Sequence, residues 1–187
     1  MTALRVLLLL GLVLIAGTSG FIFHKSQLEV PKAMEGVPRA VEDPPENILD
    51  WTFLDVSGRE YAIREWSNGL LVINFWATWC PPCLTEIPGF VRIQELFKMQ
   101  GVQFVGIALD SAMAVTDYSD SNDVNYPLLL GEDNVIRLMG VLGNDIGALP
   151  YTVIMSGNGE ILHSHKGEWS ESAARATIEK LLPITSS

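Results

Sequence analysis

The sequence predicts an α/β fold, a mixed β-sheet flanked by helices, and three observations carry that expectation: two apolar runs, a helical spacing between them and a late hairpin. Leu70-Leu71-Val72-Ile73-Asn74-Phe75-Trp76 and Val102 to Leu109 are near-continuous apolar runs, as expected of strands covered on both faces in the middle of a sheet. Between them, Leu84 to Gln100 spaces Ile87, Phe90, Val91, Ile93, Leu96 and Phe97 at helical intervals. Tyr151 to Met155 and Ile161 to His165, joined by Ser156-Gly157-Asn158-Gly159, read as a hairpin near the end of the chain.

The chain has 187 residues, 48% of them hydrophobic, enough for one domain of ordinary size and an appendage. Its formal net charge is −10 and its basic residues are scattered. That argues against nucleic acid as a partner, because a phosphate-binding surface needs a basic stripe. The only two cysteines, Cys80 and Cys83, are separated by two residues. A bridge across so short a loop adds little chain-entropy stabilisation, which disfavours a purely structural staple. A metal is disfavoured too. Zinc usually takes four ligands, and His24, His163 and His165 have no second Cys-x-x-Cys to join. No cofactor is expected beyond the cysteine pair itself.

Taken in order, the chain starts with an uncharged run of 18 residues, Val6 to Phe23, between Arg5 and His24-Lys25. That is just long enough to span a bilayer as a helix. Ala16-Gly17-Thr18-Ser19-Gly20 offers a signal-cleavage site, but Phe21-Ile22-Phe23 continues the apolar run past it, which favours an uncleaved anchor. Residues 1–24 are therefore expected to be a membrane anchor or signal segment. In a bacterial cell either one carries the rest of the chain out of the cytoplasm. The anchor would hold it at the inner membrane, with the domain on the periplasmic side. In residues 25–47, Pro31, Pro38, Pro44 and Pro45 alternate with charges, a tether too polar to pack a core.

Residues 48–187 form the expected folded domain. Trp51-Thr52-Phe53-Leu54 and Arg59-Glu60-Tyr61-Ala62 read as a hairpin turning at Gly58. The central strand and the helix Leu84 to Gln100 follow, with Pro88 expected to kink the helix and Gly101 to end it. The polar stretch Ser111 to Tyr126 holds one short helix, Pro127 to Leu130 a short strand, and Asn134 to Met139 another short helix. Ser170 caps a last helix to about Leu182, with Ala173, Ala174, Ile178, Leu181 and Leu182 on its buried face.

The chemistry centres on Trp79-Cys80-Pro81-Pro82-Cys83, at the junction of the central strand and the following helix. Free amides and the positive end of a helix stabilise a thiolate on Cys80. Cys83, more buried, is placed to resolve the mixed disulfide that Cys80 forms. Pro81 and Pro82 stiffen the loop and remove two amide donors, which raises the Cys80 thiol pKa and favours a reductant. Trp79 is expected on the rim around Cys80 and Trp76 in the core. Glu86 has two readings: a carboxyl under the active site that exchanges a proton in each half-reaction, or an exposed glutamate near a helix N-terminus. His163 and His165 share one face of a strand, which is more often a solvated edge than a metal site. Asp117, Asp120 and Asp123 are expected on a solvated helix face.

The order of elements, with Asn74-Phe75-Trp76-Ala77-Thr78-Trp79-Cys80-Pro81-Pro82-Cys83, Glu86-Ile87-Pro88 and Ala148-Leu149-Pro150-Tyr151-Thr152, resembles the thioredoxin superfamily and its TlpA/ResA-like membrane-anchored branch. The resemblance covers roughly residues 48 to 183. It implies a thioredoxin-like sheet with an N-terminal β-hairpin and a central α/β insertion between Leu109 and Gly147. It also implies a cis Pro150, where the ordinary alternative is a trans turn proline. The backbone of Leu149 would then pair with a substrate chain. Asn74 stands where cytoplasmic thioredoxins carry a buried aspartate, so any proton relay must use another group. The implied activity is thiol–disulfide exchange with exported proteins, apocytochrome c among them, recharged by a membrane electron donor.

Three other functions compete. A disulfide-forming oxidase would run the same chemistry backwards. A thiol peroxidase is disfavoured because Ala77 stands three residues before Cys80, where a threonine is needed, and Ile73 where a proline is needed. A non-catalytic, membrane-tethered binding module would keep the disulfide as structure only.

Overall fold

The computed structural model describes residues 44–131 and 133–185; the expected membrane segment and the tether before Pro44 lie outside the described residues. In chain order the elements are β1 (Thr52–Asp55), β2 (Glu60–Ala62), β3 (Leu70–Trp76), α1 (Pro81–Phe97), β4 (Val102–Ala108), α2 (Ala112–Asn122), β5 (Leu128–Leu130), α3 (Asp133–Val141), β6 (Tyr151–Met155), β7 (Ile161–Lys166) and α4 (Glu171–Thr185). The strands make one sheet in the order β2-β1-β5-β4-β3-β6-β7. β3, β4 and β5 run parallel, while β6 pairs antiparallel with β3 and β1 antiparallel with β5. The insertion strand β5 is what attaches the N-terminal hairpin to the sheet, by pairing with β4 on one side and β1 on the other.

β3 is buried along its whole length. Because strand side chains alternate, Leu71, Ile73 and Phe75 join the core under α3, while Leu70 and Val72 join the core under α1 and α4. Full burial of such side chains contributes roughly 1.5–3 kcal/mol each. A third cluster, Trp76, Ala77, Cys80, Cys83, Ile87, Ala108 and Val115, closes the C-terminal ends of β3 and β4. Asn74 interrupts the apolar run and is fully buried, so it needs hydrogen-bond partners to repay its desolvation.

α1 begins at Pro81, three residues before the first residue of the expected span, with Pro81 and Pro82 in its first positions. Their missing N–H groups would be unpaired there in any helix. Pro88 lies inside the helix. Gly101 adopts φ 84° after the closing 3₁₀ turn, a left-handed conformation that favours glycine. In α4, Ala174 and Ile178 are buried, but Ala173 is exposed. The buried stripe is therefore narrower than expected.

Candidate active site

The site forms where β3 runs into α1. Ala77 to Cys80 closes a turn, with the Cys80 amide donating to the Ala77 carbonyl at 3.3 Å. Cys80 is the N-cap residue of α1, and its carbonyl accepts from Cys83 and Leu84 at 3.0 and 3.2 Å. Cys80 and Cys83 are joined in a disulfide, their Cα atoms 5.3 Å apart. Cys80 keeps 5% of its surface exposed and Cys83 none. The inequality has the expected sign, although the outer sulfur is itself largely covered. Trp79 beside it is 63% exposed and Pro81 is exposed, whereas Trp76 is buried and lies against Tyr118.

Opposite the pair, the Leu149–Pro150 peptide is cis, as the resemblance implied. Leu149 packs against the cluster that contains both cysteines. β6 starts directly after Pro150 and pairs Tyr151 with Phe75, so the sheet itself brings residue 150 level with the end of β3.

Glu86 is buried, which overturns its reading as an exposed glutamate. One helical turn after Cys83, it faces inward from α1. Its Oε1 accepts from Asn74 Nδ2 at 2.8 Å and its Oε2 from the Trp169 amide at 2.8 Å. Asn74 Nδ2 also donates to Thr152 Oγ1 at 3.1 Å. Burial raises the Glu86 pKa to about 7, against the opposing pull of the Trp169 and Asn74 hydrogen bonds, and the Glu168 charge adds to the rise. Glu86 is thus a carboxyl able to hold or release a proton near neutrality.

Three further contacts were not apparent from the sequence. Trp169, following Gly167, folds back over β7 and stacks on both His163 and His165, with ring centroids 5.2 and 4.9 Å away. The two histidines are half-buried, so the expected solvated edge is in fact a packed one. Asp110, just after β4, accepts from the Thr78 amide and hydroxyl. Asp117 and Asp120 lie exposed on α2, as expected, whereas Asp123, also exposed, falls just past the helix end with φ 48°.

Residues 45–164 match the model of the AhpC/TSA family. The thiol–disulfide oxidoreductase ResA of Halalkalibacterium halodurans is 27% identical over 147 residues, 78% of this chain and 81% of that protein. ResA of Bacillus subtilis is 29% identical over 142 residues, 75% of each. A thioredoxin-family thiol:disulfide interchange protein from Chlorobium tepidum superposes with a TM-score of 0.65 at 24% identity, covering 75% of this chain and 99% of that one. A secreted Mycobacterium tuberculosis disulfide oxidoreductase, described as homologous to Escherichia coli DsbE, gives 0.62 at 20% identity, covering 73% and 100%. The fold is thioredoxin-like.

Proposed function

The chain belongs to the AhpC/TSA family, as a ResA-like thiol–disulfide oxidoreductase, and from that premise we propose that it reduces disulfides in exported proteins through Cys80 and Cys83. The observation that carries the reading is the unequal pair at the head of α1 above a buried carboxyl of raised pKa. In the reduced protein the Cys80 thiolate attacks one sulfur of a substrate disulfide. That bond breaks, a Cys80–substrate disulfide forms, and the first substrate sulfur leaves as a thiolate and takes up a proton. Cys83 then loses its proton and attacks Cys80 Sγ, releasing the second substrate thiol. Two electrons pass to the substrate, and the Cys80–Cys83 disulfide remains.

Glu86 receives the Cys83 proton, a role supported by its position one turn below Cys83 and by its pKa near 7. Trp79 and the Pro81-Pro82 surface form the rim that meets the substrate, and the backbone of Leu149 lines its other side. The redox group is the cysteine pair itself. Pro81 and Pro82 leave Cys80 without two amide donors, which supports the reducing direction. Thr78, the threonine nearest Cys80, gives its hydroxyl to Asp110, which lends no support to a peroxidase. The uncharged run Val6 to Phe23 supports an anchor in the bacterial inner membrane with the domain on the periplasmic face. The partners are then exported thiol proteins such as apocytochrome c and a membrane electron donor.

Expression of the Cys83→Ser variant in the native host tests this reading. It should accumulate Cys80-linked mixed disulfides with exported cysteine proteins. Recovery of no adducts, or of adducts with cytosolic proteins alone, would overturn it.

A further inference from the structure

Asp110 has no part in the exchange described above, yet it grips the segment that presents the nucleophile. Its Oδ2 accepts from the Thr78 amide at 2.9 Å and from the Thr78 hydroxyl at 2.5 Å, and its Oδ1 accepts from the Ser111 amide at 2.8 Å. Thr78 is the second residue of the turn that ends at Cys80. Ser111, in turn, caps α2 through the Ala114 amide. One carboxylate therefore ties the loop before the nucleophile to the end of β4 and the start of α2. Leu109, just before it, continues the pairing of β4 with β3 by donating to the Trp76 carbonyl at 3.0 Å. The anchor point thus directly follows the last residue bonded across the sheet.

We propose that Asp110 is a positioning residue for thiol exchange: its carboxylate pins the Ala77–Cys80 turn and holds a negative charge near the nucleophile, which disfavours the Cys80 thiolate and strengthens the protein as a reductant. The inference rests on the exchange reading given above. Burial opposes ionisation of Asp110, but the Thr78 and Ser111 hydrogen bonds outweigh it and hold the carboxyl below the usual aspartate value. The charge is therefore present throughout the neutral range. Two residues of a turn place it on the order of 10 Å from the sulfur, about one Debye length at 0.1 M salt, where a partly buried charge is screened only in part. Thr78 modulates that charge, since its hydroxyl donor offsets part of it.

Other titratable groups surround the same region. Glu86 lies on α1, Tyr118 of α2 packs on the cysteine cluster, Asp133 opens α3 across a shared cavity from Asp110, and Glu168 acts on Glu86. None of them is altered by the substitutions that separate the two residues of the clamp.

The test compares the wild type with Asp110→Asn, Thr78→Val and Thr78→Ser. It measures the pH profile of Cys80 alkylation in the reduced protein and the equilibrium with glutathione. Asp110→Asn should move the alkylation midpoint down by about half a pH unit and shift the glutathione equilibrium about threefold towards the dithiol. Thr78→Val keeps the charge, loses the hydroxyl donor and should move both in the opposite direction, while Thr78→Ser should restore wild-type values. Shifts of the same sign in Asp110→Asn and Thr78→Val, or none in either, would overturn the proposal. If Asp110→Asn does not fold, the contrast between Thr78→Val and Thr78→Ser decides it. All readouts are differences from the wild type. A wild-type potential in the oxidant range would instead overturn the reductant reading.

Discussion

Asn74 donates a 2.8 Å hydrogen bond to Glu86, tying the middle of the central strand to the active-site helix beneath the two cysteines. Both residues are buried, so the carboxyl is held in place while its charged form is penalised.

Glu86 therefore makes stability depend on pH. Its folded-state pKa, about 7, lies above the ordinary 4.5, so between these values the native state holds a proton that the unfolded chain has lost. Stability from this group is complete below pH 4.5 and falls as pH rises through 7. The total is on the order of 3 kcal/mol. In oxidised protein, Glu86→Gln should gain on the wild type by about that amount between pH 4 and pH 8, read from denaturant midpoints. A difference that stays constant with pH would remove the titration from Glu86.

Trp79 is large, exposed and next to the nucleophile. Trp79→Ala should lower kcat/KM for a protein disulfide by about 5- to 30-fold, the usual effect of truncating an interface tryptophan. Its rate with a small disulfide and its Tm should change little. Equal losses on both substrates would place Trp79 in the chemistry rather than in substrate contact.

Gly69 enters β3 against the backbone of Gly101, and a Cβ there would come within 2.2 Å of the Gly101 carbonyl oxygen. That oxygen accepts the Leu70 amide at 2.9 Å. Gly69→Ala should cost about 1–3 kcal/mol and lower the Tm by roughly 3–10 °C. Gly140→Ala, inside α3 with its nearest neighbour 4.0 Å away, should be neutral or stabilising.

The features legible in the sequence were local ones. The seven apolar residues of β3 and the adjacent Cys-x-x-Cys announce a strand, a turn and a redox pair within one short stretch. The polar stretch from Ser111 to Tyr126 announces one short helix, but the cap that starts α2 at Ser111 and its end at Asp123, with φ 48°, are set by the structure. The buried site was harder to read because its parts are distant in sequence. Glu86 and Trp169 are 83 positions apart, and Thr78 and Asp110 are 32 apart. Nothing in local composition distinguishes Asp110 from a surface aspartate. His163 and His165 alternate as a solvated edge would, and only the return of the chain after Gly167 brings Trp169 onto them. Asn74 in an otherwise apolar central strand and Glu86 one turn after Cys83 were the hints that a buried polar pair lies there.

The most direct measurement follows the reduced, purified protein in a single turnover with glutathione disulfide, using mass spectrometry to locate the adduct. Cys83→Ser should accumulate one glutathione, on Cys80, and Cys80→Ser should react at least tenfold more slowly than the wild type, on the order expected for loss of the attacking thiolate. A glutathione adduct on Cys83, or a Cys80→Ser protein that reacts as fast as the wild type, would contradict the assignment of Cys80 as the nucleophile.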